Sequence, residues 1–69
     1  MLQDIKIAIK RQEKVYIRLI NGEALQGIPE SLSNRVKIRQ KQGVTWIPVT
    51  EIEHVSRLVA LHKKDPASE

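Results

Sequence analysis

The chain contains no cysteine and no phenylalanine, and its aromatic share is 3 %, one tyrosine and one tryptophan. The missing cysteine excludes a disulfide scaffold, a thiolate-ligated zinc and a thiol nucleophile. Histidine is scarce as well: His54 and His62 are the two imidazoles, and neither sits in a ligand cluster, so no metal is expected. No apolar run approaches the roughly 18 residues that cross a bilayer. With no charged-then-apolar leader in view, the expectation is a cytoplasmic protein that does not associate with membranes. A glycine-rich phosphate loop, a paired-aspartate metal motif and a nucleophile pattern are all lacking. Glu51 and Glu53, two apart, are expected to share a strand face, but no second polar group with a defined role accompanies them. The expectation is therefore no catalytic residue, no cofactor and no enzyme.

What is present is a small folding unit. Of 69 residues, 41 % are apolar and 29 % charged, a balance that supports a core. Twelve Lys and Arg against eight Asp and Glu give a net charge of +4. The segment His62–Glu69 holds two of each sign, so the surplus belongs to the remainder, and that segment reads as a flexible polar tail behind a single domain over residues 1–61. A basic surplus suits a polyanionic partner, although a charge of this size also serves solubility. A core this small is marginal alone. With no disulfide and no metal, self-association is the remaining support.

Glycine and proline divide the chain into short pieces, which points to strands and tight turns. The first piece, over about residues 2–13, reads two ways. Leu2, Ile5, Ala8 and Ile9 form a helical stripe, with Lys6, Lys10 and Lys14 in a second row; yet Ile5 to Lys10 also alternates and isoleucine favours strands, so the period alone leans slightly to strand. Val15–Ile20 alternates clearly, with Val15, Ile17 and Leu19 on one face. Asn21-Gly22 then predicts a type I′ hairpin turn. A second strand over Glu23–Ser31 contains Gly27, which suggests a bend where a neighbour passes closely, and Pro29, which suggests an edge or a bulge. A third strand, Arg35–Gln42, points Val36 and Ile38 inward and Arg35, Lys37, Arg39 and Lys41 outward. A fourth over Val44–Val49 carries Trp46, expected to fill the core in the absence of phenylalanine. A fifth runs over Glu51–Leu61, with Ile52 inward and Val55 near a change of face. Five short strands at intervals of about ten residues predict a bent antiparallel small barrel.

The cationic face of the third strand is the most informative feature. Same-face residues on a strand recur every ~6.6 Å. That spacing is comparable to the phosphate spacing of an extended single strand, so four cations in a row can follow such a backbone without reading its bases. The competing reading is an edge strand whose cations block aggregation. Tyr16, on the outward face of its strand, is the candidate for stacking on a base. Lys10 and Arg11, with Lys6 and Lys14, offer a second basic surface on the first segment.

The stretch Val15-Tyr16-Ile17-Arg18-Leu19-Ile20-Asn21-Gly22-Glu23-Ala24-Leu25-Gln26-Gly27-Ile28-Pro29-Glu30-Ser31 resembles the first motif of the Sm family in its bacterial Hfq form, Val-x-Ile-x-Leu-x-Asn-Gly-x-x-Leu-Gln-Gly-x-x-Glu-Ser. The pattern continues through Val36 and Ile38 to Ile52 and Val55, and Ile9-Lys10-x-Gln12 is similar to the divergent cyanobacterial Hfq proteins. The resemblance implies a mainly β fold: an N-terminal α-helix on a five-stranded bent antiparallel Sm/SH3-like small barrel. It also implies a homo-oligomeric ring, typically a hexamer, in which the fourth strand of one subunit pairs with the fifth of the next. The implied partner is single-stranded RNA and the implied role that of a riboregulator or RNA chaperone. Asn21, Gln26 and Gly27 match positions beside the family's purine-binding face. There Arg18 replaces the stacking tyrosine and Ala24 a lysine. On the uridine-binding face Arg35 replaces an aromatic and Asn34 a glutamine, while Pro48-Val49-Thr50-Glu51 stands where enterobacterial members have Tyr-Lys-His-Ala. Leu2-Gln3-Asp4 resembles the family's helix start with a two-residue shift, which adds Gln3 to the implied RNA contacts. The candidate RNA-binding set is thus Gln3, Lys10, Arg11, Tyr16, Arg18, Asn21, Gln26, Gly27, Asn34, Arg35, Lys37, Arg39 and Lys41. The alternative is an SH3-like barrel adaptor, YolD-like or Rho-inhibitor-like, that works through a protein partner.

Overall fold

The structure is a computed structural model that describes residues 2–58. Helix α1 (Leu2–Arg11) precedes five strands: β1 (Lys14–Leu19), β2 (Ala24–Leu32), β3 (Arg35–Gln40), β4 (Gly43–Pro48) and β5 (Ile52–Leu58), with a 3₁₀ turn at Val49–Glu51 between the last two. The strands form one antiparallel sheet in the order β4-β3-β2-β1-β5. Residues 59–61 of the expected fifth strand, and the tail 62–69, lie outside the described residues.

The first segment is a helix, against the lean of its period to strand and as the resemblance implies, because packing decides between the two. Ile5 and Ala8 are fully buried and Leu2 and Ile9 partly so, which is the helical stripe, and α1 packs on β2 and β5. Asp4 in the first turn and Lys10 and Arg11 in the last complement the helix dipole. The helix stops at Gln12, which takes φ 57°. The Glu13 N–H donates to the Ala8 carbonyl at 2.9 Å and the Gln12 N–H to the Ile9 carbonyl at 3.3 Å. This is a Schellman closure with glutamine in the left-handed position that glycine usually fills. Arg57 of β5 links the helix to the sheet, facing Asp4 of its first turn at 3.6 Å and Glu13 just beyond its last at 3.6 Å.

The core is built of Ile5, Ala8, Val15, Ile17, Val36, Ile38, Ile47, Ile52 and Val55. It is aliphatic throughout and almost entirely β-branched, as pleated surfaces favour. Burying each large side chain contributes about 1.5–3 kcal/mol before entropy is counted.

Strand β2 serves both halves of the sheet. Its first part pairs with β1 through Gly27 opposite Val15, and its second part pairs with β3 from Ile28 opposite Arg39 onward. Gly27 sits at the handover. A Cβ there would strike Ile38 Cγ2 and lie 2.8 Å from the Arg39 carbonyl oxygen, so the close approach read from the sequence is real.

Two bulges interrupt the ladders. Between Pro29 and Ser31 the residue Glu30 has no partner on β3, and between Arg18 and Leu19 the partner strand carries Glu53 as its extra residue. The second bulge accounts for the change of face near Val55: Ile52 and Val55, three apart, are both buried.

The Asn21-Gly22 hairpin departs from the expected turn type. Only Gly22 has positive φ, at 93°; Asn21 does not. The Gly22 N–H donates to the Leu19 carbonyl at 2.9 Å and the Leu19 N–H to the Glu23 carbonyl at 2.8 Å. This is a three-residue loop with a glycine bulge rather than a type I′ turn.

Among the described residues both sheet edges, β4 and β5, are open. The Val49 N–H donates to the Asn34 carbonyl at 3.0 Å, which makes Arg35 opposite Pro48 a non-hydrogen-bonded pair. By alternation the same holds for Lys37 opposite Trp46 and Arg39 opposite Val44. The backbone groups of Val44 and Trp46 therefore face the open edge, as does the nitrogen of Pro48, which carries no hydrogen.

Candidate nucleic-acid interface

The register of β3 and β4 fixes which side chains share the outer face. Val36 and Ile47 face each other in the core, so the neighbouring pairs Arg35–Pro48, Lys37–Trp46 and Arg39–Val44 face outward. A row of cations on β3 thus lies beside a row of apolar side chains on β4. Trp46 is 50 % exposed and Val44 48 %. This overturns the expectation that Trp46 fills the core. Ile47 takes the buried place, and β4 carries apolar residues on both faces, so alternation alone did not separate them. The Arg35 guanidinium lies 5.4 Å from the centre of the Trp46 ring and Lys37 Nζ lies 5.7 Å from it, both within cation–π range.

Lys41 is not part of this row. β3 ends at Gln40, which pairs with Gly43, and Lys41-Gln42 is the turn between β3 and β4. Three cations, not four, are therefore collinear on the strand. Lys41 instead lines a shallow groove of about 410 Å³ together with Lys14, Gln26, Gly27, Ile28, Arg39, Gln40 and Gln42. That groove brings together Gln26, Gly27, Arg39 and Lys41 of the predicted set and adds Lys14. Gln40 holds its wall: its amide nitrogen donates to the Gln26 carbonyl at 3.1 Å, and its amide oxygen accepts from the Thr45 hydroxyl at 2.8 Å.

The other predicted residues are placed elsewhere. Gln3 and Lys10 line the exposed side of α1 with Lys6 and Ile7, and Arg11 stands at its end, 3.8 Å from Glu13. Tyr16, half-buried, and Arg18, exposed, lie on the outward side of β1. Asn21 is occupied locally, its Oδ1 accepting from the Glu23 N–H at 3.0 Å. Asn34 lies exposed in the β2–β3 turn.

Carboxylates temper the cations. Glu30 accepts from Arg39 Nε at 2.6 Å and faces Lys37 Nζ at 3.6 Å. The Arg39 hydrogen bond, aided by the charges of Arg39 and Lys37 and opposed by desolvation, holds the Glu30 carboxyl below its ordinary value. Arg18 is met by Glu53 at 3.6 Å. Both counter-charges are the extra residues of the two bulges. Arg35 has no carboxylate partner among the described residues.

The two glutamates weighed in the sequence do not share a strand face: Glu51 lies in the 3₁₀ turn and Glu53 in β5. His54 Nε2 lies 2.8 Å from the Ser56 hydroxyl. Among the described residues no three acidic, histidine or cysteine side chains gather to hold a metal, and no helix is long and apolar enough to cross a membrane.

No protein-family model and no curated protein matches the chain by sequence. Solved structures do match. A crystal structure of the pleiotropic translational regulator Hfq superposes with a TM-score of 0.76, covering 84 % of this chain and 89 % of that one at 15 % identity. An N-terminal helix followed by five antiparallel strands in a bent, unclosed sheet is the Sm/Hfq-like fold, and this chain has it.

Proposed function

We propose that this chain is a cytoplasmic, ring-forming Sm-like protein that binds single-stranded RNA without catalysis, as a riboregulator or RNA chaperone whose contacts differ from those implied by the Hfq motifs. The observation that carries this reading is the outer face of β3, where Arg35, Lys37 and Arg39 stand at alternate positions beside the exposed Trp46. Likeness to a translational regulator in fold supports it. Two open edges in so small a sheet support closure by identical neighbours, since unpaired N–H and C=O groups invite another strand.

The mechanism is phosphate neutralisation. The β3 cations and the Lys14–Lys41 groove take backbone charge, and the Gln26 side chain offers amide contacts to bases. The test is RNA affinity measured across salt concentrations, with the mass in solution. The three β3 cations alone give a log–log slope of about −2, and Lys14 and Lys41 steepen it towards about −3.5, at roughly −0.7 per contact for single strands. A ring gives a multiple of 7.9 kDa, about six for a hexamer. A mass of one or two chains without salt-dependent RNA binding would replace this reading by the protein-adaptor alternative.

A further inference from the structure

We propose that Trp46 is a stacking platform for a base of single-stranded nucleic acid, with Arg35 and Lys37 holding the phosphates that flank it. This rests on the RNA-binding reading and goes further by assigning the stacking residue, which none of the Hfq-like motifs supplies here.

The argument starts from cost. The chain has one tryptophan, and it stands half-exposed on the outer face while the core is closed with isoleucine and valine. Large exposed aromatics with a wet and a dry side suit recognition. The surroundings then choose the ligand. Lys37 lies directly across from Trp46 in a non-hydrogen-bonded pair, the type in which side chains adjoin most closely. Arg35 lies diagonally across and reaches the ring. An apolar partner laid on Trp46 would desolvate both cations without compensation. A single-stranded nucleic acid supplies what the face lacks, a planar π-surface bracketed by negative charge. A duplex does not, because its bases are stacked away from the surface. Arg35, with no carboxylate beside it among the described residues, is the cation most ready to take a phosphate.

Every base has a π-face, so this contact discriminates little among bases. It is also not ionic. Trp46→Ala should lower affinity about tenfold or more at every salt concentration while leaving the salt slope unchanged, whereas Arg35→Gln should flatten the slope.

The experiment uses the full chain. Short oligouridylate, oligoadenylate and oligothymidylate strands are titrated while two signals are read: anisotropy of the labelled strand and intrinsic fluorescence of Trp46, the only tryptophan. Quenching that tracks anisotropy, with Trp46→Ala weakened and Trp46→Phe largely restored, supports the proposal. Response to the deoxy strand alone would retain the platform and redirect it to DNA. Binding with no change in Trp46 emission and an unaffected Trp46→Ala variant would overturn the platform while leaving RNA binding intact. Absence of binding by either signal would remove both. If Trp46→Ala, folded by circular dichroism, instead changes the mass in solution, Trp46 is a contact between copies and the proposal fails.

Discussion

Arg39 donates to Glu30 at 2.6 Å, and the accepting residue is the one that β2 inserts without a partner. The bulge thus sets a carboxylate against two cations of the candidate interface, Arg39 and Lys37. Glu30→Gln removes the competing charge. The expected outcome is tighter binding of single-stranded RNA, because Arg39 and Lys37 then meet phosphate without giving up a carboxylate. Binding isotherms for both proteins at matched salt concentrations check this; equal affinities would show that Glu30 does not compete with phosphate.

The same pair makes folding sensitive to acid. The Glu30 carboxyl is held below its ordinary value of 4.5 by Arg39 first and Lys37 second. A depressed carboxylate stabilises the folded state above its unfolded value, and the contribution is lost as pH falls through the lower folded value. Urea midpoints followed from neutral pH into acid should fall more for the native chain than for Glu30→Gln. Parallel curves would count against it.

Gly27→Ala should destabilise the fold by about 1–3 kcal/mol or more, the range for overpacking. The added carbon meets a backbone carbonyl at 2.8 Å as well as the Ile38 side chain, and the carbonyl cannot swing away as a flexible side chain would. Denaturant midpoints provide the measurement, and an unchanged midpoint would show that β2 and β3 have room to part.

Gln12→Gly should do the reverse. Gln12 holds φ 57° to close α1, a conformation that costs a side-chain-bearing residue about 1–2 kcal/mol. After the extra freedom of glycine in the unfolded chain is counted, a gain of about 1 kcal/mol is expected, or a rise in melting temperature of about 4–8 °C for a domain of this size. Thermal unfolding by circular dichroism reads it directly.

Val44→Pro probes assembly. The Val44 N–H faces away from β3, so proline there spares the β3–β4 ladder and removes a donor from the open edge. The proposed ring should fall to lower mass, towards 7.9 kDa, with the fold retained. A particle of unchanged size would show that β4 does not join the copies.

The fold was legible where one residue pattern answered to one surface. Val15 and Ile17 on β1, and Val36 and Ile38 on β3, alternate and are all fully buried. The first segment was not legible from period alone, because Ile5, Ile7 and Ile9 satisfy a strand as well as Leu2, Ile5, Ala8 and Ile9 satisfy a helix; the family resemblance pointed to the helix that is found. The site was harder. Lys41 leaves the cationic row because a two-residue turn consumes it, and Trp46 reads as core filler in a chain without phenylalanine although the neighbouring Ile47 takes the buried place. Glu30 went unnoticed among the candidates because a bulge, which gives no sign in the alternation of its own strand beyond the adjacent Pro29, decides where its carboxylate points.

Pro48 has a consequence for any neighbouring strand. A second chain lying along β4 meets two outward N–H groups, at Val44 and Trp46, and then a ring nitrogen that has nothing to donate. The zipper between copies runs out after a few rungs. A particle built on this edge is then held by few backbone rungs, and its subunits should exchange readily on dilution.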